Sequence, residues 1–183
     1  MTPIVANFVA FQLGWFAVVL GAAHGWPWAG TAAAFAIVAW HLRQALRPRA
    51  ELVLALAAAG IGALWDSLLA ALGLVVFTNG TLVEGTAPHW MIALWMLFAT
   101  TLNVSLGWLK RSLPLAAAFG AVGGPLAYLG GAKLGALEIP QAVPAIAALA
   151  LGWALLTPLL LVVARRYDGF VRPRAMTLET SHA

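Results

Sequence analysis

Few side chains in this sequence could do chemistry, and Asp66 stands out among them. It lies near the middle of a run from Ala50 to Phe77, twenty-eight residues, and past Glu51-Leu52-Val53-Leu54 the run is otherwise apolar. At about 1.5 Å per residue the run would make a helix of roughly 42 Å, longer than a hydrocarbon core of about 30 Å, so it must tilt or begin among the headgroups. A carboxylate at such depth costs several kcal/mol, so intramembrane acids face the protein interior and find a partner or bind a proton there. The spacing predicts an inward face. Ala59, Gly62, Asp66, Ala70 and Gly73 recur at three- and four-residue steps and form a stripe of small residues along which helices can approach closely.

Such an acid could couple proton movement, bind a cation or act as a general acid or base. It could also simply tie helices together by hydrogen bonds to Asn103, Thr100 or Asn7. Asp66 and Asn103 are expected to approach one another in the bundle core, with Thr100, Asn7 and Tyr128 as further substrate or proton candidates; an Asp66 lining a cavity would favour the first reading, and one sealed against Asn103 the second. Gly123, Gly124 and Pro125 form a candidate hinge. Pro125 lacks an N–H and the glycines weaken the helix, which predicts a kink or break near mid-membrane. His24, His89 and Glu84 fall at one rim, too weak a pattern to read as a metal site, so no metal is expected. Trp15, Trp65 and Trp153 fall near the midplane and read as core filling rather than a ligand cage. There is no phosphate loop, dinucleotide fingerprint, His-Glu-x-x-His helix or nucleophile elbow. No cofactor is expected, and an enzyme acting on lipid ranks last for want of a nucleophile–base pair.

The elements that must position these residues follow from composition. Of 183 residues, 63% are hydrophobic and 9% charged, against about 25% charged in soluble domains. The expected fold is all-α, a six-transmembrane-helix bundle over residues 1–167 with a short polar tail at 168–183. The spans are expected at Ile4 to Ala23, Ala29 to Leu46, Ala50 to Phe77, Trp90 to Leu109, Leu113 to Gly131 and Val143 to Ala164. A signal peptide competes for the first span, but no Lys or Arg precedes it, and Asn7 and Gln12 interrupt the run. The fourth is unusually polar, with Thr100, Thr101, Asn103 and Ser105 together.

The net charge of +4 is dispersed in short clusters, which argues for lipid headgroups as the partner and against nucleic acid. In a six-span arrangement Arg43, Arg47, Arg49, Lys110, Arg111, Arg165, Arg166, Arg172 and Arg174 share one side, and Lys133 alone takes the other. That asymmetry places both termini in the cytoplasm. With no cysteine, disulfides and thiolate chemistry are excluded.

Four motifs carry a resemblance. They are Asn7-Phe8 with Phe11-Gln12 and Trp15-Phe16, then Ile61-Gly62 with Asp66, then Pro88-x-Trp90 with Leu94-Trp95. The fourth is Phe98-Ala99-Thr100-Thr101-Leu102-Asn103-x-Ser105-Leu106-x-Trp108-Leu109. Together the chain resembles a family of small bacterial inner-membrane proteins, domain of unknown function 2878. The resemblance implies a multi-pass protein of the bacterial inner membrane whose gene often lies near those of lipid-modifying enzymes, which makes such enzymes candidate partners, and it supplies no site residues. Two expectations compete: a small carrier or flippase in envelope-lipid metabolism with Asp66 as its functional acid, and a scaffold or accessory subunit, alone or as a homo-oligomer, in which Asp66 and Asn103 only lock helices.

Overall fold

The computed structural model describes residues 2–171, so of the tail expected at 168–183 only its first four residues are described, and Arg172 and Arg174 lie outside the described residues. The chain is all-helical apart from a two-residue ladder. Its elements are α1 (Pro3–Ala23), α2 (Pro27–Gln44), α3 (Pro48–Ala71), β1 (Val76–Phe77), α4 (His89–Leu102), a 3₁₀ turn (Gly107–Arg111), α5 (Leu113–Lys133), β2 (Leu137–Glu138) and α6 (Ala142–Arg166). Pro3, Pro27 and Pro48 open α1, α2 and α3, where a missing N–H costs nothing. Pro48 therefore starts the third helix rather than merely ending the second.

Three expected boundaries are corrected. The long apolar run does not continue to Phe77. Gly73 adopts φ +65° and the Leu74 N–H bonds back to the Leu69 carbonyl, a glycine closure that ends α3 at Ala71. The run then turns into β1, whose Val76 and Phe77 pair antiparallel with Glu138 and Leu137. The fourth helix ends at Leu102 rather than Leu109. Thr100 and Thr101 turn their hydroxyls onto the Leu97 and Phe98 carbonyls, local bonds that compete with the helical ladder. The fifth helix shows no break, since α5 runs through Pro125 to Lys133.

Four helices, α1, α3, α5 and α6, are long and apolar enough to cross a membrane. With 14 residues, α4 is short, and α2 is less apolar. Large apolar side chains such as Leu13, Leu64, Val143 and Leu155 stand exposed around the perimeter, the build of a membrane protein.

The six helices run up and down. One end collects the basic residues. There Arg47 meets Asp168, Asn103 meets Glu51 and Arg165 meets the Lys110 carbonyl. The other end carries the β1–β2 ladder and the contact of Asn79 with the Ala22 carbonyl. Helices α1 to α4 form one body, in which α1 packs on α2 and α4, and α3 on α4. Helices α5 and α6 form a tightly packed hairpin that meets the body mainly through α6.

Glycines seat the indoles at these contacts. A Cβ on Gly62 would overlap the Trp95 ring, one on Gly124 the Trp153 ring, and one on Gly152 the Trp65 ring. Small residues admit flat aromatic faces where apolar lipid cannot drive helices together by itself.

Candidate functional site: a lateral aromatic cavity backed by a buried carboxylate

Between the α1–α4 body and the α5–α6 hairpin lies a cavity of about 400 Å³, within the range of ligand pockets. Helix α1 contributes Phe11 and Trp15 to one wall, α5 contributes Gly123 and Ala127 to the other, and α4 and α6 supply the back through Trp95 and Trp153. Those two indoles stack with centroids 4.7 Å apart and planes 11° from parallel. The exposed lining residues are Phe8 on α1 and Phe119 and Leu126 on α5. The mouth thus opens sideways, through the apolar perimeter between α1 and α5. Among the described residues no Lys, Arg, His, Asp or Glu lines it.

Asp66 stands behind this wall. It is 0% exposed, and its carboxylate accepts from Trp95 Nε1 at 2.6 Å and from the Tyr128 hydroxyl. Trp95 and Tyr128 both line the cavity, so one acid of α3 tethers a wall residue of α4 and one of α5. The link to Tyr128 matters because α5 otherwise touches α3 sparsely. The inward stripe predicted for α3 holds at Ala59, Gly62 and Asp66, all buried; Gly73 lies past the helix end.

Asp66 does not meet Asn103. The expectation that they pair is corrected, because the two belong to separate polar clusters. Asn103 donates to Glu51 Oε1 at 2.6 Å and to the Tyr167 carbonyl at 3.2 Å. Asn7 donates to the Thr100 carbonyl at 3.0 Å and accepts from the Ser105 hydroxyl at 2.6 Å. Of the candidates, then, Asp66 and Tyr128 come together, Asn7 and Thr100 come together, and Asn103 stands with neither pair. Gly123 lines the cavity, Gly124 seats Trp153, and Pro125 is buried in α5. Trp15, Trp65 and Trp153 all pack against the core, as expected of them, and Trp15 and Trp153 also line the cavity.

A second buried carboxylate, Glu51, carries a cluster that sequence reasoning gives no role. It is 2% exposed. His41 Nε2 lies 2.9 Å from its Oε2, and the Gly169 N–H donates to Oε1 at 2.6 Å. Lys110 bridges Asn103 Oδ1 to Asp168, 2.7 Å from the latter's carboxylate. The segment after α6 is thereby drawn back against α2 and α3. The available signal is a single acid set among Arg43, Arg47 and Arg49.

At the opposite rim the His89 Nδ1 bonds Thr31 at 2.8 Å and its ring stacks on Trp28. His24 instead bonds the Leu20 carbonyl. Among the described residues no three His, Cys, Asp or Glu side chains converge to hold a metal.

Fold and cavity together define a small helical protein of membrane type with a pocket opening through its apolar perimeter. A family model described as "Protein of unknown function (DUF2878)" matches residues 4–159, and the chain belongs to that family. No curated protein and no solved structure matches it.

Proposed function

We propose that this chain is a six-span protein of the bacterial inner membrane that takes a lipidic ligand sideways from the bilayer, as a small carrier or flippase in envelope-lipid metabolism. The observation that carries this reading is the uncharged aromatic cavity, open between α1 and α5 and walled by Trp95 and Tyr128. Asp66 acts in it as a positioning residue. It does not touch the cavity contents; it holds the two wall residues that do.

The six-span topology is supported by the gathering of Arg43, Arg47, Arg49, Lys110, Arg111, Arg165 and Arg166 at one end, with Lys133 at the other. The positive-inside rule then assigns the basic end, and both chain termini, to the cytoplasm. The short α4 would cross with the help of its 3₁₀ turn and the polar cluster around Asn7 and Ser105. A reporter fused after Val171 that is active only in the periplasm would reverse this orientation.

The test of ligand capture is comparative lipid extraction. Gly123 lines the cavity, and a Cβ there would meet nothing closer than Phe119 Cε1 at 3.9 Å. Gly123→Leu is therefore expected to add bulk at the cavity wall, and its melting temperature, measured beside wild type, checks that the fold is kept. The wild-type protein, purified in mild detergent, should retain a lipid that Gly123→Leu loses at equal expression. Identical lipid content in both would instead favour the second reading, a scaffold or accessory subunit whose buried polar groups only lock helices. One observation favours that reading: both Asp66 oxygens are already satisfied within a sealed site.

A further inference from the structure

The hydrogen-bonding capacity left over at the cavity's polar end carries the inference, which rests on the ligand-capturing reading above. Along α4 and the turns after it the cavity runs from Trp90 to Ser105, the helical part from Trp90 to Leu102 spanning roughly 18 Å at about 1.5 Å per residue. The two ends differ. Towards the β1–β2 ladder the lining is Val19, Met91, Ala136 and Leu137; towards the basic end it includes Gln12, Thr101 and Ser105.

Their proton inventory is decided by their neighbours. Asn7 donates its amide N–H to the Thr100 carbonyl, so its Oδ1 is an acceptor, and the Ser105 hydroxyl must spend its single proton on it. Thr101 spends its own on the Phe98 carbonyl. A hydroxyl has one donor and two acceptor lone pairs. Ser105 and Thr101 can therefore only accept from a ligand. Gln12, half-buried and without a hydrogen bond to any described residue, still offers both donors and an acceptor, and the Thr157 hydroxyl and the Trp153 N–H, which also line the cavity, are without a partner among the described residues.

We infer that the cavity takes a single apolar chain ending in an uncharged hydroxyl head, with the hydroxyl among Gln12, Thr101 and Ser105 and the chain lying towards Trp90 and Leu137. A hydroxyl donates to a Ser105 or Thr101 lone pair while accepting from the Gln12 amide. A carboxylate or phosphate would set its charge against those lone pairs in a cavity that no cation lines, at a large desolvation cost. Long-chain or isoprenoid alcohols and monoacylglycerols share the required chemistry.

Bromine on a bound chain quenches tryptophan on contact, and Trp15, Trp95 and Trp153 line the cavity. Brominated long-chain alcohol and the matching fully ionised fatty acid are titrated into wild type, Gln12→Leu and Gly123→Leu in detergent, with Gly123→Leu as the background. The alcohol should bind wild type at least about tenfold more tightly than the acid, and Gln12→Leu should weaken the alcohol about tenfold while leaving the melting temperature unchanged, as expected where a site's polar group loses its partner. Equal binding of acid and alcohol, or a Gln12→Leu protein that keeps the preference, overturns the inference while leaving ligand capture standing. No quenching by either probe above the Gly123→Leu background overturns ligand capture itself. Brominated isoprenoid alcohol and monoacylglycerol, run in parallel, tell which chain class fits; tighter binding of either over the acid supports the inference.

Discussion

The protein buries two carboxylates, and they are used in opposite ways. Asp66 lies about one and a half turns from the ladder end of α3, fully enclosed, and both of its donors, the Trp95 indole and the Tyr128 hydroxyl, are neutral groups on two other helices. Glu51 lies at the basic end, where it gathers His41, the Asn103 amide and the Gly169 N–H, with Lys110 and Asp168 one bond further out. The first shapes a cavity by fixing its walls. The second closes an end by fixing chain segments. The difference is one of setting: Glu51 has a backbone N–H, a histidine and an amide within reach, whereas Asp66, enclosed among helices, recruits its donors only from side chains of two other helices.

The comparison can be broken most directly with Asp66→Leu. It strands the Trp95 N–H and the Tyr128 O–H where water cannot replace their partner, at about 1–3 kcal/mol for each orphaned donor. Unfolding in mixed micelles should show a loss of several kcal/mol, and wild-type stability would remove the tether from the account. Glu51→Leu should cost less, about 1–3 kcal/mol altogether, because Tyr167 and Arg47 beside it are exposed and water can approach the freed donors. A Glu51 variant less stable than the Asp66 one would invert the comparison.

A smaller effect separates two adjacent glycines. Gly124→Ala drives a methyl into the Trp153 ring and should destabilise by about 1–3 kcal/mol through overpacking. Gly123→Ala meets open space and should stabilise by up to about 1 kcal/mol through helix propensity. Equal effects on the melting temperature would mean that α5 does not seat Trp153 as described.

The mildest change is Asp66→Asn, at about 1 kcal/mol or less. Its carbonyl can still accept from Trp95, and its amide can donate to Tyr128, whose hydroxyl both donates and accepts. If Asp66 is only a positioning residue, the variant should behave as wild type in whatever phenotype a deletion strain shows. A folded Asp66→Asn protein without function would instead make Asp66 a proton-coupling acid, since an amide releases no proton.

Much of this was legible beforehand for reasons particular residues make plain. Asp66 had to face inward because hydration is not available at its depth, and the small residues at three- and four-residue steps said which side of α3 that was. Its partner was not legible. Asn103, the polar choice, sits one helix end away, while the actual donors are Trp95 and Tyr128, whose polar atoms hide inside aromatic side chains that composition scores as apolar. Helix ends were misjudged for a related reason. An apolar run says where a segment can be buried, whereas the Gly73 turn and the Thr100 and Thr101 hydroxyls decide where the helix stops.

Sequence alone therefore determined an all-helical chain with a bilayer-facing surface, its basic clusters and its one mid-span acid, because hydrophobicity, charge and helical period are local properties. Only the tertiary structure decided that the acid holds two cavity walls, that a second acid gathers the segment after α6, and that a space is left between α1 and α5. Those are outcomes of which glycine seats which indole, and a choice among nine tryptophans and eighteen glycines is made by three-dimensional packing, which no one-dimensional pattern encodes.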